Sequence, residues 1–153
     1  MRIAIGSDHA GYRLKEEIVR YLSESGYDFR DFGAYSAERC DYPDIGLAVA
    51  EAVARGEYDR GILICGSGIG MSITANKVPG IRAALCNDVY TAAVSRSHND
   101  SNVLTFGERV VGVGVALEVV RTWLSTEFSG EGRHANRIEK IREIEKKYCK
   151  GVN

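Results

Sequence analysis

Apolar residues follow two different periods along this chain. Arg2-Ile3-Ala4-Ile5-Gly6 and Gly61-Ile62-Leu63-Ile64-Cys65 are short, nearly unbroken apolar runs, as expected of strands buried on both faces. Tyr27 to Phe32 predicts a further strand, polar on one side and so near a sheet edge. Ile81 to Cys86 and Asn102 to Phe106 predict two more. Between these runs the period lengthens. Leu14, Ile18, Val19 and Leu22 recur at helical spacing before Gly26, and Ile45, Val49, Ala52 and Val53 do so between the Asp41-Tyr42-Pro43-Asp44 turn and Gly56. A short helix is predicted from Met71 to about Lys77, stopped by Pro79-Gly80. Another runs from a cap at Asn87 or Asp88 toward His98. A last extended piece at Val110, Val111 and Val113 precedes a helix from about Ala116 to Leu124. The tail from Gly132 to Lys150 places Ile138, Ile141 and Ile144 on one helix face. Strands alternating with helices predict an α/β architecture: a parallel sheet of about five strands, helices on both faces and a C-terminal helix.

Composition narrows this picture without changing it. A length of 153 residues fits one domain over 1–153. The formal net charge of −1 gives no electrostatic argument for nucleic acid or an anionic membrane. No apolar run reaches transmembrane length, and Asp8 and His9 interrupt the N-terminus before a secretion signal develops. Cys40, Cys65, Cys86 and Cys149 form no C-x-x-C pair, which points to a reduced, cytoplasmic setting.

The chemistry gathers on Cys65-Gly66-Ser67-Gly68-Ile69-Gly70. Alternating glycines after a strand leave backbone N–H groups free to converge on an anion, and the N-terminus of the following short helix faces the same spot. A cysteine delivered there can be shifted toward thiolate, although a cysteine at a strand end is most often just a small buried hydrophobe. Asp88, about 20 residues on, imitates the ribose-binding acid of a dinucleotide site. The loop is G-x-G-x-G, however, not G-x-G-x-x-G, and its helix is short for that unit.

Ligands of parallel sheets sit beyond the carboxyl ends of the strands. That rule collects Asp8 and His9 after the first strand, Cys65, Ser67 and the glycines after the central one, His98 and Asn99 ahead of the next, and Arg109 after it. Alone, Asp8 reads as a helix cap and His98 as a cation at a helix C-terminus. Arg133 and Arg137 are four apart and share a helix face. They oppose the dipole at that helix start, which an anionic ligand would offset, and arginine's planar fork suits phosphate. His9, His98 and His134 are scattered without metal-ligand spacing, so no metal is expected.

Taken together, these stretches resemble the type B ribose-5-phosphate isomerases, within the wider family that includes galactose-6-phosphate isomerase subunits. The resemblance rests on Ser7-Asp8-His9-Ala10-Gly11, Asp41-Tyr42-Pro43, the run Ile62 to Gly70, Ala75-Asn76-Lys77, Gly80-Ile81-Arg82-Ala83, Ser97 to Asn102, Gly107-Glu108-Arg109 and Gly132-Arg133-His134. It implies a Rossmann-like three-layer sandwich, a homodimer with further pairing into a dimer of dimers left open, and aldose–ketose isomerisation without metal or cofactor. By that resemblance Cys65 is the base that moves a proton between C1 and C2, and His98 assists opening of the furanose ring. Asp8, His9, Tyr42, Gly66, Ser67, Gly68, Ile69, Gly70, Asn99, Arg109, Arg133 and Arg137 bind the sugar phosphate. Some relatives carry a glutamate base just after the glycine loop; here that position is Met71, so Cys65 keeps the role. The alternatives are a hexose-6-phosphate isomerase, for galactose or allose phosphate, and a non-catalytic nucleotide- or sugar-phosphate-binding module. The last would have no need of a thiol at 65.

Overall fold

The computed structural model describes residues 1–149. Its strands are β1 (Arg2–Ser7), β2 (Asp28–Asp31), β3 (Arg60–Cys65), β4 (Ala83–Leu85) and β5 (Val103–Gly107). Its helices are α1 (Tyr12–Glu24), α2 (Tyr42–Ala54), α3 (Ile69–Ala75), α4 (Val89–Ser97), α5 (Val113–Ser125) and α6 (Gly132–Tyr148). The strands all pair in parallel, in the order β2-β1-β3-β5-β4. The half-polar β2 lies at one edge, as its pattern predicts.

The two-residue period of the strands sorts the core into two layers. Ile3, Ile5, Ile62, Ile64, Leu104 and Phe106 face Leu14, Ile18 and Leu22 of α1 and Val119, Val120 and Trp123 of α5, with Ala92 of α4 beside them. Ala4, Leu63, Cys65 and Val103 face Val49, Ala50 and Val53 of α2 and Met71 and Ala75 of α3. The strand β3 is buried along its whole length, which is why it reads as an unbroken apolar run. Trp123 is fully buried, and its indole N–H donates to Ser101 Oγ at 2.8 Å. That bond removes the penalty of burying the ring's one polar atom.

Several boundaries differ from the sequence reading. The expected extended piece at Val110, Val111 and Val113 is a turn, closed by Val110 and Val111 N–H donating to Gly107 O at 3.0 and 2.9 Å. Both flanks of β5 are already occupied by β3 and β4, so Val113 opens α5 instead. The strand β4 is shorter than Ile81 to Cys86, because the Ile81 N–H turns back to Val78 O and the Arg82 N–H is taken by Asn102 Oδ1. Helix α3 starts at Ile69 rather than Met71, since Gly68 at φ +81° turns the chain early and its carbonyl accepts from Ser72 N–H at 3.0 Å. In α6 only His134 and Ile138 are buried among the described residues, and Ile141 and Ile144 of the expected stripe are exposed. The expected helix end at Lys150 lies outside the described residues. No helix of the described residues is long and apolar enough to cross a membrane.

Asp88, not Asn87, caps α4: its Oδ1 accepts from Thr91 N–H at 2.7 Å. The Thr91 backbone N–H, with the Thr91 hydroxyl, holds the Asp88 carboxyl below the usual aspartate range. A depressed folded-state carboxyl contributes stability that is present above the unfolded value and lost as pH falls through the folded one. Asp88→Ala should therefore lower Tm at neutral pH, with the gap to the parent closing in an acid series. A Tm gap that persists at strongly acid pH would mean that the cap acts through something other than the carboxylate.

Candidate functional site

The register sets the three central strands to finish together. Ser7 pairs with Ile64, and Cys65 pairs with Gly107. The chain's crossovers change direction between β1 and β3, the usual place for a ligand crevice in such sheets. The loops leaving these ends enclose a cleft of about 300 Å³. Asp8 and His9 line it from β1, Cys65, Gly66, Ser67 and Gly70 from β3, Arg109 from β5, and Tyr42 from the start of α2.

Each group has a local reason for its place. The buried Asp8 makes an Asx turn: Oδ1 accepts from Ala10 N–H at 2.9 Å and Gly11 N–H at 3.0 Å. His9 Nδ1 lies 3.0 Å from Cys40 O and 3.3 Å from Cys40 N. Cys65 is 4% exposed, and Gly68 N–H donates to its Sγ at 3.1 Å. A Cβ at Gly68 would stand 2.6 Å from Leu85 Cδ1 and 2.7 Å from Phe106 backbone, so the left-handed turn and the crowding both require glycine. One at Gly107 would meet the Ser67 backbone at 2.5 Å, so this glycine lets the end of β5 press against the loop. The ring of Tyr42 closes over Gly70, at 2.7 Å from a Cβ placed there, and the Arg109 guanidinium lies beside Gly66. Gly68 is buried behind the cleft wall, and the exposed Ile69 does not line it.

Two residues were not among the expected site residues: Ala10, which lines the cleft, and Glu108, which fastens its loops. Glu108 Oε2 accepts the Leu14 N–H at 2.9 Å, while Glu108 N–H donates to Cys65 O at 2.9 Å and Arg109 N–H to Gly66 O at 3.1 Å. Glu108 thus caps α1 from 94 residues away in sequence and ties the third loop to the second. The signal for it was negative: α1 opens after Gly11 with no capping side chain of its own.

The remaining predicted residues lie elsewhere. His98 ends α4 and is exposed. Its ring stacks on the buried His134 at the start of α6, centroids 4.2 Å apart and planes tilted by 39°. Arg133 Nε is 3.0 Å from His134 Nε2 and 2.9 Å from Glu131 Oε2, and Arg137 is exposed on the same helix. Asn99 borders a second cavity, of about 480 Å³, walled on its far side by Ile141, Ile144 and Tyr148 of α6. This corrects the expectation that His98 and Asn99 collect with Cys65 beyond the carboxyl ends of the strands. They precede β5, and a loop that precedes a parallel strand lies at the sheet's amino end. Cys65 is level with the last residue of β5, so the length of that strand, about 13 Å at ~3.3 Å per residue, separates the two groups. Arg109 is separated from Arg133 and Arg137 in the same way.

Comparison with known proteins adds an independent finding. The chain matches the Ribose/Galactose Isomerase family over residues 3–141. It is 53% identical over 146 residues to ribose-5-phosphate isomerase B of Escherichia coli strain K12, covering 95% of this chain and 97% of that one. It is 44% identical to a D-erythrulose-4-phosphate isomerase of Pectobacterium atrosepticum, over 92% of this chain and 93% of that one. The structure of Clostridium thermocellum ribose-5-phosphate isomerase B superposes with a TM-score of 0.95 at 62% identity, over 97% of this chain and 99% of the other. A thiol at the switch point of a parallel sheet, under a glycine loop and beside an arginine, thus sits in a chain that belongs to the Ribose/Galactose Isomerase family.

Proposed function

We propose that this chain is a ribose-5-phosphate isomerase, interconverting ribose 5-phosphate and ribulose 5-phosphate, and that it works as a homodimer whose sites are each built from two chains. The observation that carries the first half is the cleft itself. A cysteine sits on its floor with Gly68 N–H on the sulfur, the contact a thiolate uses well, and the relatives are named for this reaction.

The steps follow from the residues. His98 donates a proton to the ring oxygen, and Asp8 receives that of the anomeric hydroxyl through Oδ2, since Oδ1 is held by Ala10 and Gly11. Cys65 thiolate takes the proton on C2. The enediolate's negative charge falls to backbone N–H groups of the loop residues that line the cleft, Gly66, Ser67 and Gly70, and to the Ser67 hydroxyl. A proton passes between the two enediolate oxygens, and Cys65 returns its own to C1. Oxidation at C2 is balanced by reduction at C1, so no electron carrier enters. His9 and Arg109, with Arg133 and Arg137, hold the phosphate and fix the reacting carbons against the thiol. Tyr42 closes the cleft over the sugar. Asn99 joins the hydroxyl contacts from the His98 side.

The second half rests on the separation of the two groups. A sugar phosphate cannot touch Cys65 and His98 of the same chain across the length of β5. A two-fold axis that lays the amino end of one sheet against the carboxyl end of the other supplies both. The exposed Ile69, Ile73, Leu85, Ile141 and Ile144 give such a dimer apolar surface to bury. We place the reaction in the cytoplasm, in keeping with four free cysteines.

A second substrate has one specific observation in its favour, the relative named for D-erythrulose 4-phosphate. Ratios of kcat/KM over tetrose, pentose and hexose phosphates decide between them, and a preference for the four-carbon sugar would replace ribose 5-phosphate.

Two predictions test the arrangement. His98→Asn should slow the initial rate from ribose 5-phosphate by about 10²-fold, and that from acyclic ribulose 5-phosphate by much less. Equal losses would remove His98 from ring opening. Inactive Cys65→Ala and slowed His98→Asn chains, mixed in equal amounts, allowed to exchange and assayed on ribose 5-phosphate, should recover about a quarter of wild-type activity, because half the dimers are hybrids with one intact site in two. Confirmed exchange without recovery would place Cys65 and His98 of each site on one chain.

A further inference from the structure

The turn that carries His98 and Asn99 is fastened by charge. Asp100, the next residue, has φ +46°, a left-handed conformation that aspartate tolerates better than most residues but does not prefer. Its carboxylate is taken from two sides: Arg82 Nη2 donates to Oδ2 at 2.8 Å, and Arg96 Nη1 donates to Oδ1 at 2.8 Å. The same two arginines also hold the backbone. Arg82 reaches Asp100 O through Nη2 at 2.7 Å and through Nε at 3.0 Å, and Asn99 O through Nε at 3.1 Å. Arg96 Nη1 reaches Ser101 O at 2.6 Å, and its Nε meets Thr126 O at 3.3 Å. Arg96 is nearly fully buried, and burial pulls the Arg82 guanidinium below the usual arginine range while Asp100 opposes that fall.

His98 itself has little else to locate it. Its backbone N–H closes α4 on Val94 O at 2.9 Å, and its ring rests on His134. The far end of that stack is tied to α4 where Ser129 N–H donates to Ser97 O at 3.0 Å. Past His98 the Asn99 side chain is exposed, and the first holds on the chain are those of Arg82 on Asn99 O and on Asp100. The direction in which the His98 ring leaves the helix is therefore set between the last turn of α4 and the Asp100 clamp. A planar fork that grips two carbonyls and a carboxylate at once fixes a turn as a single point charge would not.

We infer that Arg82, acting with Arg96 through the left-handed Asp100, is a positioning residue for His98, holding the imidazole at the angle from which it serves the sugar of the partner chain. The inference rests on the reading of His98 as the ring-opening group and adds to it a device at the amino end of the sheet, far from the chain's own Cys65 cleft. It predicts that the clamp affects ring opening selectively, because Cys65, Asp8 and the glycine loop lie beyond its reach.

The test compares Arg82→Met, Arg82→Lys and Asp100→Asn with His98→Asn in the full dimer. Arg82→Met should slow turnover of ribose 5-phosphate by about tenfold in kcat with KM nearly unchanged, and should leave the initial rate from ribulose 5-phosphate within about twofold. Arg82→Lys should recover little, since a point charge cannot span both carbonyls and the carboxylate. In the His98→Asn background, Arg82→Met should add less than about a twofold further loss, as expected when one residue acts through the other. The His98 imidazole resonances should shift or broaden in Arg82→Met while those of the Cys65 loop amides stay in place. If Arg82→Met fails to fold, Asp100→Asn, which keeps the left-handed tolerance and removes the charge, takes its place in the same measurements. Equal losses from both substrates, independent multiplication with His98→Asn, or unchanged His98 resonances would each overturn the inference. A His98→Asn enzyme that loses both directions equally refutes the ring-opening reading instead, and the double-variant rates and the His98 resonances then still decide whether the clamp positions that residue.

Discussion

Strands that all run the same way sort their loops by kind. Every segment that leaves a strand emerges at one end of the sheet, and every segment that enters one arrives at the other. The register of β1, β3 and β5 adds a second condition, because it stops the three strands at one height. Asp8, Cys65 and Arg109 are brought together by backbone hydrogen bonding before any side chain interacts. The same rule sends His98, Asn99 and the arginines of α6 to the far end. Whatever joins these two sets has to cross the sheet's length, and one chain does not.

At each end the loops are fastened to one another as well as to their own elements. Near Cys65, Glu108 links the third loop to the first turn of α1 and to the loop of the thiol. Two glycines, at 68 and 107, let the backbones close to contact. At the opposite end the fasteners are arginines. Arg60 donates to Trp123 O at 2.8 Å, Arg96 bridges Asp100, Ser101 and Thr126, and Arg82 holds the turn beyond α4. Burial, with the positive charge of Arg96 nearby, pulls the Arg60 guanidinium below its usual range. This end of the molecule therefore spends apolar packing energy to hold several cations close together, and it keeps them only because each is met by carbonyl or carboxylate oxygen.

What the sequence made legible follows from what is local. Unbroken apolar runs gave β1 and β3, helical spacing gave α1 and α2, and alternating glycines after β3 marked the anion loop around Cys65. Asp8 and His9 were found because they follow a strand directly. The placement of His98 was misread because a position ahead of a strand and one after it look alike in a linear pattern, and only the direction of the strand tells them apart. The valines at 110, 111 and 113 looked extended because β-branched residues favour strands. Their turn is decided by the Gly107 carbonyl and by a sheet with no place left beside β5. Glu108 and Arg82 lie in stretches that carry the family resemblance, but nothing local reveals what they hold, since their partners lie 94 and 18 residues away.

His9 shows what such fastening means for a ring with two tautomers. Both the N–H and the C=O of Cys40 lie within reach of the same ring nitrogen, Nδ1. When that nitrogen is bare it accepts from the N–H, and when it carries hydrogen it donates to the carbonyl. The imidazole thus has a bearing that holds in either tautomer, and the ring keeps one fixed seat toward the cleft whichever of its nitrogens carries the hydrogen.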